Sequence, residues 1–285
     1  MISGAVWYAR HRFRPDREGI ALAGAYLCML LLWLRMNHAQ LRIGAVLAGG
    51  CAFVLLFLQL RLLDDICDFD SDGGSGSRAG APGRGALTIA WFTIALANVA
   101  LGVVFGAVRP VSYTEALLAV AALLALRVRV SSAPLAFVLF EGQPALVLTF
   151  AWWFLAELSH ASFPPGSAAV VVTFFWGSYE FWKFARKRGD PDWRPFGWNW
   201  GQQRLFLSAI IAGNTASALL LVAIVPMSRW YMVYAMLNAL VFAFDIWTES
   251  TSSERKPPRK LRSFAFPASA QLGILGDLLL IHPFS

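Results

Sequence analysis

Residues 43–72 read IGAVLAGGCAFVLLFLQLRLLDDICDFDSD. From Ile43 to Leu60 there is no charge, and an apolar run of about this length is what a helix needs to cross the roughly 30 Å hydrocarbon core of a bilayer. Directly after it Asp64, Asp65, Asp68, Asp70 and Asp72 crowd into nine residues. A carboxylate at the edge of hydrocarbon is costly unless a cation neutralises it. The junction therefore bears on fold and chemistry together.

The wider chain repeats the first half of that pattern. Its 285 residues are 58% hydrophobic and 14% charged, against about 25% charged in an ordinary soluble domain, and the mean hydropathy is +0.57. The expectation is an all-α polytopic membrane helix bundle forming one transmembrane domain over residues 1–285. Nine segments are long and apolar enough to count, at Ile20–Trp33, Ile43–Leu62, Ala86–Val108, Val111–Leu126, Ala133–Leu155, Ala168–Phe184, Leu205–Val225, Trp230–Trp247 and Phe266–Ile281.

The net charge of +7 reflects where the basic residues sit, not a nucleic-acid partner. With a cytoplasmic N-terminus, all but Arg35, Arg42, Arg109 and Arg229 of the 24 Lys and Arg fall on one side. The positive-inside rule then gives N-in, C-out with nine spans. The basic start ARHRFRPDR resembles the head of a signal peptide, but no small-residue cleavage site follows and a retained first helix is expected. Cys28, Cys51 and Cys67 lack CxxC spacing and read as packing residues buried in apolar surroundings. The long polar stretches, residues 63–85, 185–204 and 248–265, fall on the same cytoplasmic side. The last of these, ESTSSERKPPRKLRS, suits contact with solvent or anionic lipid headgroups.

Three readings compete for the aspartates. DFDSDG opens like a calcium loop, but the twelfth position counted from Asp68 is Ala79, where a bidentate Glu is needed. A structural or transport role would set the carboxylates against Arg61, Arg78 and other cations, or use them to guide a cation into a pore. The spacing supports a third reading: Asp65, Asp68 and Asp72 would line one face of a helix, and with Asp64 they could hold Mg2+ ions that bridge to substrate phosphates. Arg78 and Arg84, in the Gly- and Ser-rich GGSGSRAGAPGRG, would neutralise the remaining phosphate oxygens.

DDICDFDSD followed by Arg78 and GRG resembles the first aspartate-rich signature, (N/D)DxxDxxxD, of the UbiA superfamily of intramembrane prenyltransferases. The resemblance implies a nine-helix bundle with that signature between the second and third helices, and active-site loops around 63–85 and 180–204. It also implies a second acidic signature between helices six and seven. The corresponding SYEFWKFARKRGDPDW departs from it: Glu180 is the only acid on the helix, and Lys183, Arg186, Lys187 and Arg188 precede Asp190 and Asp192. FARKRGDP is similar to a branch in which an acid is followed by an Arg-Lys pair, and Lys183 stands where the acid is expected.

The activity the resemblance implies is Mg2+-dependent ionisation of an allylic prenyl diphosphate and transfer of the prenyl group to an aromatic or lipophilic acceptor. Asp64, Asp65, Asp68 and Asp72 would hold the metal, and Arg78, Arg84, Lys183, Arg186 and Lys187 the diphosphate. Asp65, Asp68, Asp72, Glu180 and Glu141 would be catalytic. Glu141, in FEGQP within the fifth apolar segment, could deprotonate an acceptor or end a cyclisation, or pair with Arg127 or Arg129. Aromatic faces such as Trp152, Trp153, Trp176, Tyr179, Trp182, Trp198 and Trp200 could shield a carbocation or simply serve packing and the membrane interface. A terpene cyclase of the same superfamily and a non-enzymatic ion-coupled transporter stay open as alternatives. His38, His160 and His282 fall on the far side, His11 lies in the basic tail, and Asp245 and Asp277 are secondary acidic candidates.

Overall fold

A computed structural model describes residues 19–37, 43–67, 69, 82–104, 142–187 and 200–224, with isolated positions at 118, 122, 126, 232, 233, 236, 237 and 240. Six α-helices carry these residues: α1 (Ile20–Asn37), α2 (Ile43–Cys67), α3 (Arg84–Val104), α4 (Gln143–Leu158), α5 (Pro165–Lys187) and α6 (Trp200–Ile224). No strand occurs among the described residues, so they are all-helical, as the composition implies. The segments Val111–Leu126 and Trp230–Trp247 are described only at isolated helical positions, and Phe266–Ile281 lies outside the described residues. The stretch expected to run from Ala133 is helical from Gln143. Gly142 caps that helix, and Pro144, which has no N–H to donate, falls in the first turn where none is needed.

Two stretches, Ile43–Ile66 and Arg84–Val104, are long and apolar enough to cross a membrane. In α3 the outward positions include Ile89, Phe92, Leu96 and Val104, while Asn98 is completely buried. That polarity is the reverse of a water-facing helix and suits lipid as the outer solvent.

The chain divides into two units, one comprising residues 1–26 and 39–163, the other residues 27–38 and 164–285. In the first, α2 is the central element and packs against both α3 and α4. Gly49 and Gly50 form a saddle on α2 for Tyr26 of α1, whose ring stacks on Phe53 at 6.0 Å. The Tyr26 hydroxyl donates to the Val46 carbonyl at 2.7 Å. A methyl at Gly50 would stand 3.2 Å from the ring, and one at Gly49 would strike the hydroxyl and lie 3.4 Å from Leu158 of α4. Cys28 is buried but Cys51, expected to be buried, is exposed.

On α2's other flank, Asn98 of α3 donates to the Ala52 carbonyl at 3.4 Å, and further along Leu62 packs with Leu87 and Ala90. Residue numbers rise on α2 as they fall on α3, so the pair is antiparallel. The fourth helix buries Val147, Phe150, Trp152, Phe154 and Leu155. It closes with the Ala161 N–H bonded to the Ala156 carbonyl at 2.9 Å and the His160 N–H to Glu157 at 3.0 Å. That closure places His160 at φ 54°, the left-handed region where glycine is normally used.

In the second unit α5 and α6 cross through small and amide residues. Gly177 leaves room for Asn214, whose Cβ would be 3.2 Å from any methyl added there. Asn214 Nδ2 donates to the Phe174 carbonyl at 2.8 Å and to Ser178 Oγ at 3.0 Å. Where lipid surrounds the helices, close approach and interhelical hydrogen bonds take over the role that apolar burial plays in water.

Gly49→Ala is expected to lower the thermal midpoint of the detergent-solubilised protein, with about 1–3 kcal/mol lost by overpacking against Tyr26. His160→Gly should raise it, by about 1 kcal/mol, since the left-handed backbone is then unstrained. A stabilised Gly49→Ala protein, or a destabilised His160→Gly protein, would contradict the packing described.

Candidate functional site

The mouth of the α2–α3 pair holds the charged residues. Along α2, Leu62 belongs to an apolar cluster with Leu87 and Ala90, extended by Ile66, Phe69, Trp91 and Ile94. Asp64 and Asp65 follow Leu62 after Leu63, and Arg84 precedes Leu87 by one turn. The register set by Ala52 with Asn98 and by Leu62 with Leu87, continued one turn further, brings Asp65 level with Arg84. Leu87, Trp91, Ile94 and Asn98 share the stripe of α3 that meets α2, and Arg84 extends it at helical spacing.

The charges run against the helix dipoles. A helix C-terminus carries partial negative charge and favours cations, and an N-terminus favours anions. Here α2 ends on Asp64 and Asp65 with no basic residue in its last turn, and α3 begins on Arg84 with no acidic residue in its first. Each such placement costs about 0.3–1 kcal/mol for the helix taken alone. Asp64 is partly offset by Arg61, 3.5 Å away and one turn earlier. Asp65 has one carboxylate oxygen, Oδ2, sealed from solvent.

The N–H groups of Ala86 and Leu87 bond to the Gly83 carbonyl at 2.9 and 3.2 Å. Among the described residues, a side chain at Gly83 or Gly85 would meet nothing within 4 Å. Hard carboxylate oxygens at a negative helix end suit Mg2+, which characteristically takes one or two carboxylates and completes its shell with water and phosphate oxygens. Asp64 and Asp65 fit that donor set. Among the described residues no three His, Cys, Asp or Glu side chains come together.

The α-helix carrying the acidic row ends at Cys67, and Phe69 lies in a turn. Of the row expected along one helical face, Asp65 alone is on the described helix. Asp68, Asp72, Arg78 and Glu141 lie outside the described residues. In the second unit, Glu180 is completely buried on α5, one turn past Gly177. Lys183, Arg186 and Lys187 follow on the backbone of the same helix, whose last residue is Lys187. Trp152 of α4 is fully buried, which places it in the packing of the first unit.

Five buried polar side chains were not anticipated: Gln59, Asn98, Gln143, Asn214 and Ser217. The signal for the first was present, because Gln59 is the only side chain between Ile43 and Leu60 that carries an amide. Comparison with known proteins finds no matching family model, no curated protein and no solved structure.

Leu62→Ala is expected to cost about 2–5 kcal/mol and to loosen the mouth specifically. Hydrogen exchange should rise in residues 62–69 and 84–91 and stay unchanged around Tyr26 and Gly49. A uniform rise throughout the first unit would show that Leu62 does not fix the mouth independently.

Proposed function

We propose that this chain is an integral-membrane, Mg2+-dependent enzyme of the UbiA type that ionises an allylic prenyl diphosphate and passes the prenyl group to an acceptor. The observation that carries the reading is the reversed charge at the mouth of the α2–α3 pair, with acids on a helix C-terminus and Arg84 on the adjacent helix N-terminus. A magnesium diphosphate presents a dication and a polyanion together, and so complements both ends at once.

In this reading Asp64, Asp65, Asp68 and Asp72 hold Mg2+, which when bound supplies charge neutralisation for the departing diphosphate. Arg78 and Arg84 hold phosphate oxygens, as do Lys183, Arg186 and Lys187 from the second basic stretch, where cations replace the acids of the family pattern. The allylic C–O bond breaks with its electron pair leaving on the diphosphate. Apolar walls keep water from the carbocation, the acceptor carbon bonds to it, and Glu141 takes the acceptor's proton. Glu180, an acid buried on α5, orients the basic residues that follow it. A nine-span bundle with the N-terminus in the cytoplasm, the C-terminus opposite and the site facing the cytoplasm completes the proposal.

The decisive experiment incubates the purified protein with Mg2+ and farnesyl or geranylgeranyl diphosphate. Substrate that stays intact until an aromatic or lipophilic acceptor is added is the expected result. A cyclic hydrocarbon formed without acceptor would make the chain a terpene cyclase, and inertness under every condition would favour an ion-coupled transporter. Asp68→Ala should abolish turnover; full retention would remove the metal assignment.

A further inference from the structure

Below the charged mouth, two buried polar atoms face an unmet demand. Gln59 is 4% exposed, and its Oε1 has no hydrogen-bond partner among the described residues; the same holds for the indole Nε1 of Trp91. Gln59 precedes Leu62 by one turn on α2, and Trp91 packs against the cluster that Leu62 forms with Leu87 and Ala90. The register that pairs Ala52 with Asn98 puts Gln59 and Trp91 at one level on facing stripes. One atom is an acceptor and the other a donor. An unsatisfied polar group costs several kcal/mol in hydrocarbon, so an unmet pair at one level is a demand for a single group able to answer both.

We infer that Gln59 and Trp91 form a hydroxyl-binding site, in which one hydroxyl donates to Gln59 Oε1 and accepts from Trp91 Nε1. Carbonyl, ether or hydrocarbon groups answer at most one of the two atoms; a hydroxyl answers both. The hydroxyl has two possible sources, a resident water or a hydroxylated aromatic acceptor. The level lies six residues from Asp65, about 9 Å along the helix axis, on the far side of the Leu62, Leu87 and Ala90 cluster. The acceptor source rests on the enzymatic reading above; the site itself does not. A chain that only cyclises a hydrocarbon tail has no use for this donor–acceptor pair.

The test uses the full chain in nanodiscs, labelled with 15N at tryptophan, with the Trp91 indole N–H resonance identified by its loss in Trp91→Phe. Phenol should shift that resonance saturably and toluene should not. Gln59→Leu should weaken phenol binding about fivefold or more, as expected for one lost hydrogen bond, with the thermal midpoint confirming that the variant is folded. A resonance already hydrogen-bonded to a slowly exchanging water and indifferent to phenol would support the site with water as its occupant. A resonance at the position of a free indole, unmoved by phenol and by Gln59→Leu, would overturn it. Because the readout is binding, absence of turnover with prenyl diphosphates leaves the result interpretable. With turnover, Gln59→Leu should raise the acceptor KM while the diphosphate KM stays constant.

Discussion

The contact of Leu62 with Leu87 and Ala90 lies at the boundary between two opposite physical demands. On one side of it α2 and α3 are apolar and every polar group must find a partner within the protein. On the other, within a single turn, carboxylates stand on a helix end that repels them and Arg84 on one that repels it. The apolar cluster holds the two ends level, so that charges unfavourable for each helix alone become a combined site of opposite sign. Were the helices to slide by one turn, the opposite charges would no longer stand at one level.

Register between the helices is set by a distinct group of contacts. In the first unit a glycine pair makes a saddle for Tyr26, and its hydroxyl reaches a backbone carbonyl. In the second, Gly177 admits Asn214, which bonds to the backbone of the facing helix. Each device trades side-chain volume for proximity and then uses one polar group to fix position. The Asn98 link to Ala52 does the same for the pair that carries the charged mouth. Position along the helix axis is thus specified by polar contacts, and lateral packing by Leu, Phe and Trp.

Buried polar atoms therefore divide by what they meet. Asn98 and Asn214 Nδ2 meet backbone carbonyls and serve register. Gln59 Oε1 and Trp91 Nε1 meet no partner among the described residues although the register sets them at one level, where a leucine and a phenylalanine would pack without the polar penalty.

Hydrophobic length and charge placement determined the helical class and the starts of most described segments, because lipid admits few alternatives for such runs. The same reasoning located the acidic junction after Leu62 and the basic residues after Glu180, since charge at the edge of an apolar run is conspicuous in one dimension. Of the segment expected from Ala133, the described part is helical from Gln143, and of the expected acidic row Asp68 and Asp72 lie outside the described residues. The same reasoning buried Cys51, because an apolar run does not say which of its faces is covered. Only the tertiary structure could level Asp65 with Arg84 and Gln59 with Trp91, because the register of an antiparallel pair is decided by which small, polar and apolar side chains fit together between two helices, and that information is in neither helix alone.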